Sequence, residues 1–401
     1  MNVSGHRVVT NEELLERLNG EMRHAVAPVT VFVGVEILLG FVGNLVVLGV
    51  FFFRYHHCNF RYFVLCLAVF DFISTLTTMP GEILTQQYWY KYPFPIVCKV
   101  KSFFNVFTVS GEALCLCTIA VERYRKVCAP FGWQIKHKYA LLWIVVIFVV
   151  AFVLAFPVFF LWGATSHTKQ YGGRYVTVTL CEKDARFSES NTPMAYVTTV
   201  EAIIAVCLVI MMCLYVFVAK KLIKLRKKAQ YHCKSRSHSA LNMNEAGMVN
   251  NLISLNNGDV PTVSNVRAPQ ITQTIDTYDE TDGGESEFYD VESCQQDRVT
   301  SWNGIERSSR RKRREKAERV RTKTVIMFIL TIVFMFTIIM YFTLLTMITR
   351  SEDILRTMTD SQKTVYFFFL RLVFINHVIN PFVYGCLDPQ FKRILKSWCC
   401  K

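Results

Sequence analysis

The chain has 401 residues, of which 52% are hydrophobic and 14% aromatic, and its mean hydropathy is +0.27. That composition excludes a disordered or fibrous chain and disfavours a water-soluble core, because lipid is the solvent that tolerates so much apolar surface. The formal net charge of +14, from 45 Lys and Arg against 31 Asp and Glu, does not imply nucleic acid, since the basic residues flank apolar segments where anionic lipid is the partner.

In chain order, residues 1–26 read as a tail in which Arg7, Arg17 and Arg23 are offset by Glu12, Glu13, Glu16 and Glu21, with no signal-peptide core of its own. Asn2 opens the glycosylation sequon Asn2-Val3-Ser4. Seven apolar segments of spanning length follow: 27–53, 60–84, 98–127, 140–162, 194–218, 324–348 and 364–387. The third would rise about 38 Å between Cys98 and Arg123, which places those residues at opposite bilayer faces. Arg54, Arg61, Arg125, Lys126, Lys136, Lys138, Lys392, Arg393 and Lys396 collect on one side with the basic runs 220–228 and 307–323, so that side is cytoplasmic and the first tail is outside. The expected organisation is an outer tail (1–26), five spans (27–219), a third inner loop (220–323), two spans (324–387) and an inner tail (388–401).

The inner loop has basic ends that extend the flanking spans as helices, and an acidic, aperiodic middle that reads as disorder. Serines among its basic residues, Ser235, Ser237, Ser239, Ser308 and Ser309, are candidates for charge-adding phosphorylation. Of fourteen cysteines, only Cys98 and Cys181 fall outside the membrane and the reducing inner side, which predicts one bridge between them. Gly172-Gly173 ahead of the alternating run 174–180 predicts a β-hairpin stapled across the mouth of the bundle.

Gly43-Asn44, Leu67-Ala68-Val69-Phe70-Asp71, Cys98 with Glu122-Arg123-Tyr124, Trp143, and Asn380-Pro381-Phe382-Val383-Tyr384 each stand in their own span. In that order they resemble the motifs of the rhodopsin-like (class A) G-protein-coupled receptors, most of all the invertebrate peptide and orphan members. The resemblance covers nearly the whole chain and implies an all-α membrane protein: a seven-transmembrane helix bundle with a short amphipathic eighth helix over 388–396. It also implies a multi-pass plasma-membrane receptor with its N-terminus extracellular. Such a receptor would bind an outside ligand and activate heterotrimeric G proteins, with arrestin and receptor kinases as further partners and no enzyme activity. Arg123 would be the coupling residue, held by Glu122 beside Tyr124 and released when the bundle opens, with Tyr215, Asn380, Pro381 and Tyr384 shaping the opened cleft. Cys399 and Cys400 stand where palmitate acceptors would.

Helical phase places Asn105, Glu112 and Arg123 on one stripe of the third span, within about 20° of one face. By resemblance, Asn44, Asp71, Asn376 and Asn380 belong to a mid-membrane sodium pocket, and sodium would lie at Asp71 and Glu112; no other cofactor is implied. Most relatives carry a serine at the position of Glu112 and a small polar residue at that of His377. A second acid and an imidazole therefore enter this cavity, as a shared-proton or sodium pocket or as a Glu112–His377 bond that pins two helices. Either Glu36 or Glu82 is expected to bridge Arg371; the alternative is that Arg371 receives an acidic ligand group.

Aminergic members carry an aspartate where this chain has Asn105, and opsins carry the retinal lysine where it has Phe374. A hairpin lid and a polar, aromatic vestibule suit a peptide instead, with Glu82, Gln86, Asn105, Tyr341 and Arg371 as candidate ligand contacts. Span six departs from the pattern, with Ile338 for the usual aromatic and Met340 for the kinking proline; Val320 replaces a frequent locking acid. Two alternatives follow: a non-signalling relative, from the altered span six, or a seven-helix channel or transporter, from the ionisable Glu36, Asp71, Glu112, Arg371 and His377 within the spans. The second is disfavoured because transporters carry internal repeats and paired broken helices, and the sequence shows neither.

Overall fold

The computed structural model describes residues 10–171, 173–187, 189–256, 304–350 and 354–399. Asn2, Cys400 and the acidic middle of the inner loop lie outside the described residues, as do the side chains of Cys399, Ser235, Ser237, Ser239, Ser308 and Ser309. Among the described residues, seven helical stretches are long and apolar enough to cross a bilayer: Asn11–Phe53, Asn59–Gln87, Pro95–Cys128, Lys138–Leu161, Thr192–Lys227, Ala317–Ile348 and Asp360–Leu387. Two compact units are present, one of Met1–Tyr124, Gln134–Tyr215 and Arg321–Lys401, the other of Arg125–Trp133 and Val216–Val320.

In the first unit, α1 (Asn11–Phe53) begins well before the expected boundary at residue 27. The cause is a capping box: the Glu13 amide donates to Thr10 Oγ1 at 3.2 Å, and the Thr10 amide donates to Glu13 Oε2 at 2.8 Å. The added turns bury Met22, Ala25 and Val26. Asn19 ties them to the next outer loop, donating to the Gln87 carbonyl at 3.0 Å and accepting from the Tyr90 amide at 3.1 Å.

The second span is broken into α2 (Asn59–Leu76) and α3 (Thr78–Gln87) at Thr77. Pro80 explains the position, because its ring clashes with the carbonyl four residues earlier, at Leu76. The seventh is α10 (Asp360–Arg371), a 3₁₀ turn over Leu372–Phe374, and α11 (Ile375–Leu387). Pro381 in α11 has no N–H for the His377 carbonyl, and the Asn44 amide on α1 donates to that carbonyl at 2.6 Å. Helix α1 also packs against α2, α3 and α10.

The third span is α4 (Pro95–Cys128), and the fourth is α5 (His137–Ala155) with the single turn α6 (Val158–Leu161). Trp162, expected at the end of span four, instead opens β1 (Trp162–Tyr171), which pairs antiparallel with β2 (Arg174–Lys183). Gly173 makes the turn at φ 82°, a left-handed conformation that side chains disfavour. The predicted Cys98–Cys181 disulfide is formed, and the Thr179 amide donates to Tyr90 while the Tyr92 amide donates to Thr179, at 2.9 and 3.0 Å. The hairpin is thus fixed to both α4 and the loop after α3.

Helices α7 (Thr192–Asn256) and α8 (Gly304–Arg350) continue far past the spans into the ends of the expected inner loop, whose 220–256 and 304–323 are helical. Good helix formers account for the first part of each extension, in the runs 220–228 and 310–319, rich in Lys, Arg, Leu, Glu and Ala. Helix α8 runs unbroken through Ile338 and Met340. Beyond the short α9 (Ile354–Thr357), the last element is α12 (Pro389–Cys399), the expected amphipathic helix. Asp388 caps it, accepting from the Gln390 and Phe391 amides at 2.8 and 3.2 Å, and accepts from the Tyr55 hydroxyl at 2.7 Å. Burial, and then the charge of Asp388, push the Tyr55 phenol above its usual range. Val31 and Leu38 on α1 and Val153 on α5 are 62–68% exposed, the apolar outer face that lipid covers. In the second unit, Arg125 donates to the Trp133 carbonyl at 2.7 Å and lies over its ring.

Candidate functional site

Three polar layers run through the first unit. At the inner edge, Glu122 Oε2 lies 2.5 Å from Arg123 Nη2, and both side chains are about 2% exposed or less. Arg123 is also 6.0 Å from the Phe60 ring centre. Tyr124 is half-buried beside the pair. The Tyr215 hydroxyl accepts from Thr331 at 3.4 Å, and Tyr384 is buried with its ring edge on Phe51 and its hydroxyl without a hydrogen-bond partner. A paired guanidinium and two buried phenols form a reserve of hydrogen-bonding groups that only an opening of the bundle would expose.

The middle layer joins α2, α4 and α11. His377 Nδ1 sits 3.2 Å from Asp71 Oδ1 and 2.7 Å from Glu112 Oε1, and each of the three side chains is at most 4% exposed. Asn380 donates to the second oxygen of Asp71 at 2.5 Å. Asn376 donates to Thr337 at 2.7 Å, which leaves its own carbonyl oxygen buried and unpartnered. A small cavity is lined by Asp71, Glu112, Asn376 and Asn380 among Leu116 and Phe334. The two acids and the imidazole named from the sequence therefore converge, with Nδ1 between the carboxylates. Asn44 does not join them, because its amide serves the His377 carbonyl freed by Pro381. The donor set disagrees with the sodium expected by resemblance, since two carboxylates outnumber one monovalent charge and an imidazole nitrogen suits transition metals better than a hard alkali cation.

The outer layer centres on Glu82, which accepts from Arg371 and, through its other oxygen, from Lys101 at 3.0 Å. Lys101 also donates to Thr85 at 3.1 Å. Of the two partners expected for Arg371, Glu82 is the one it meets; both oxygens of Glu36 are buried without a hydrogen bond. Lys101 was missed by the sequence reading, although a lysine three residues into an apolar span is itself a signal. The Tyr341 hydroxyl interacts with the half-buried Asn105 side chain near Arg371 and Glu82. Gln86, expected among these ligand contacts, is fully buried and instead accepts from Thr30 of α1 at 2.8 Å.

At the extracellular rim expected from the charge pattern, Asp184 accepts from both the amide and the guanidinium of Arg186, and Lys99 lies 3.8 Å away. The Arg186 hydrogen bond holds the Asp184 carboxyl below the usual carboxylate range. Burial raises the Tyr92 phenol, whose hydroxyl lies near Thr85 and Glu82.

Residues 43–384 match the model of the family described as 7 transmembrane receptor (rhodopsin family). Similar curated proteins include a D(1A) dopamine receptor of Xenopus laevis, 25% identical over 53% of this chain and 49% of the relative. A human neuropeptide Y receptor type 4-2 is 29% identical over 31% of this chain and 33% of the relative. A bovine alpha-1A adrenergic receptor is 27% identical over 33% and 29%. The chain spans about half the length, or less, of these relatives. They are signalling receptors rather than enzymes. The match covers well over half of the chain, which belongs to the rhodopsin family of seven-transmembrane receptors.

Proposed function

We propose that this chain is a plasma-membrane receptor with its N-terminus outside, which binds an extracellular peptide and activates a heterotrimeric G protein through Arg123. The observation that carries the proposal is the buried Glu122–Arg123 pair at the inner edge of α4. A buried guanidinium at that depth is costly even when paired, and ionisable residues kept inside a span are by default functional. Opening of the bundle would free Arg123, with Tyr215, Tyr384, Asn380 and Pro381 reshaping the cleft for the partner. Arrestin and receptor kinases would act on the same inner surface, and the basic ends of 220–323 would lie against anionic lipid.

The peptide reading rests on the absence of an acid at Asn105 and on the stapled hairpin above the outer layer. The similar proteins include both amine and peptide receptors, and one experiment separates the two classes. The test applies secreted fractions, before and after protease digestion, to cells expressing the chain with a G-protein dissociation sensor. Activity that protease destroys supports a peptide. Activity that survives, or a response to small amines, refutes it. The unbroken α8 through Ile338 and Met340 favours a second reading, a ligand-binding relative that does not signal, which silence at confirmed surface expression would support.

A further inference from the structure

We infer that Asp71, Glu112 and His377 form a binding site for a divalent transition-metal ion, Zn²⁺ being the probe of choice, in the middle of the bundle. Each contributes one donor atom, and the three donor atoms lie within 4.8 Å of one another. Nδ1 is 2.7 and 3.2 Å from the two carboxylate oxygens. Ligands bonded to one tetrahedral ion at about 2.0–2.2 Å lie about 3.3–3.6 Å apart, so Asp71 is already close to its place and Glu112 has only to draw back from Nδ1 by under about 1 Å to seat the ion.

Charge and donor type select the ion. Two carboxylates balance one divalent cation while leaving the imidazole neutral and able to ligate, whereas beside sodium the second charge, among side chains at most 4% exposed, would need a proton, and on His377 that proton removes the nitrogen as a ligand. Imidazole suits zinc, copper or nickel, while hard cations prefer oxygen alone. The second shell is already present. Asn380 orients Asp71 at 2.5 Å, and the unpartnered carbonyl oxygen of Asn376, in the same cavity, is free to accept from an ion-bound water. Glu112 Oε1, now 2.7 Å from Nδ1, would exchange that contact for the ion.

An ion at this point would clamp α2, α4 and α11 together and hold the bundle in one packing. The site requires the helix bundle and not the signalling activity, so its test is independent of any ligand or G protein. The full chain, purified in detergent with a histidine-free tag and stripped with chelator, is melted in Zn²⁺, Mg²⁺ and Na⁺. Zn²⁺ at a hundredfold excess over its dissociation constant should raise the midpoint by on the order of 5 °C. Mg²⁺ and Na⁺ should leave it unchanged, and Glu112→Gln and His377→Asn should each abolish the Zn²⁺ shift. No shift in the wild type overturns the inference, as does an equal shift in both variants. If the variants do not fold, Co²⁺ bound to the wild type decides. Bands of an oxygen- and nitrogen-ligated ion support the site, and a thiolate charge-transfer band, meaning cysteine ligands elsewhere, overturns it.

Discussion

Substituting the two partners of the Glu82–Arg371 bridge should have unequal effects. Glu82→Gln strands two cations, Lys101 and Arg371, whose side chains are only 13% and 7% exposed. Leaving buried charges unpaired costs about 3–5 kcal/mol. Arg371→Met removes one cation but leaves Glu82 paired with Lys101 at 3.0 Å, and Lys101 still bonded to Thr85 at 3.1 Å. That change forfeits one charged hydrogen bond, about 1.5–3 kcal/mol. The double substitution removes the bridge while leaving a single buried cation, and it should fall between the two. Thermal melting of the purified full chain reads the order directly. At roughly 2 °C per kcal/mol, Glu82→Gln should melt about 4 °C below Arg371→Met. Equal midpoints, or a lower one for Arg371→Met, would show that Lys101 does not share Glu82 and refute the reasoning.

Gly111→Ala is expected to destabilise the chain, because a Cβ there would lie 2.3 Å from the Phe70 ring, itself fully buried against Phe148 and Phe107. Overpacking of this kind costs about 1–3 kcal/mol, and an unchanged melting point would contradict it. Asp388→Ala removes the cap of α12 and the acceptor of Tyr55, so amide exchange over 389–399 should speed up by at least tenfold, about 1.4 kcal/mol. Asp184 has a lowered carboxyl, so its tie to Arg186 is present above the ordinary carboxylate value of about 3.9 and is lost only as pH falls through the lower folded value. Protection of amides 184–187, corrected for intrinsic exchange, should therefore be the same at pH 8 and pH 5; loosening near pH 6 would refute the assignment.

Much of this architecture is written in the sequence because bilayer thickness converts apolar length into spans and a shared compartment singles out Cys98 and Cys181. Convergence of Glu112 and His377 on Asp71 was also legible, since helical phase and the Asn-Pro motif orient both faces. The early start of α1 was missed although the signal was present, in Thr10 three residues before Glu13. Pro80 likewise marks the break at Thr77, but its effect falls on a carbonyl four residues back. The choice of Glu82 over Glu36 for Arg371 depends on how the interrupted α2 and α3 rotate against α10, which spacing along one chain does not encode. Asn44 was read as an ion-pocket residue, and its actual bond to the His377 carbonyl becomes evident only when α1 and α11 are seen in contact.

The most direct test of the functional account measures G-protein dissociation, across all the main classes, in cells expressing the chain and its Arg123→Ala variant at matched surface levels. The account predicts a response to an active secreted fraction in the wild type and none above untransfected cells in the variant. An equal response in both would contradict it, because Arg123 would then not be the residue through which the bundle signals.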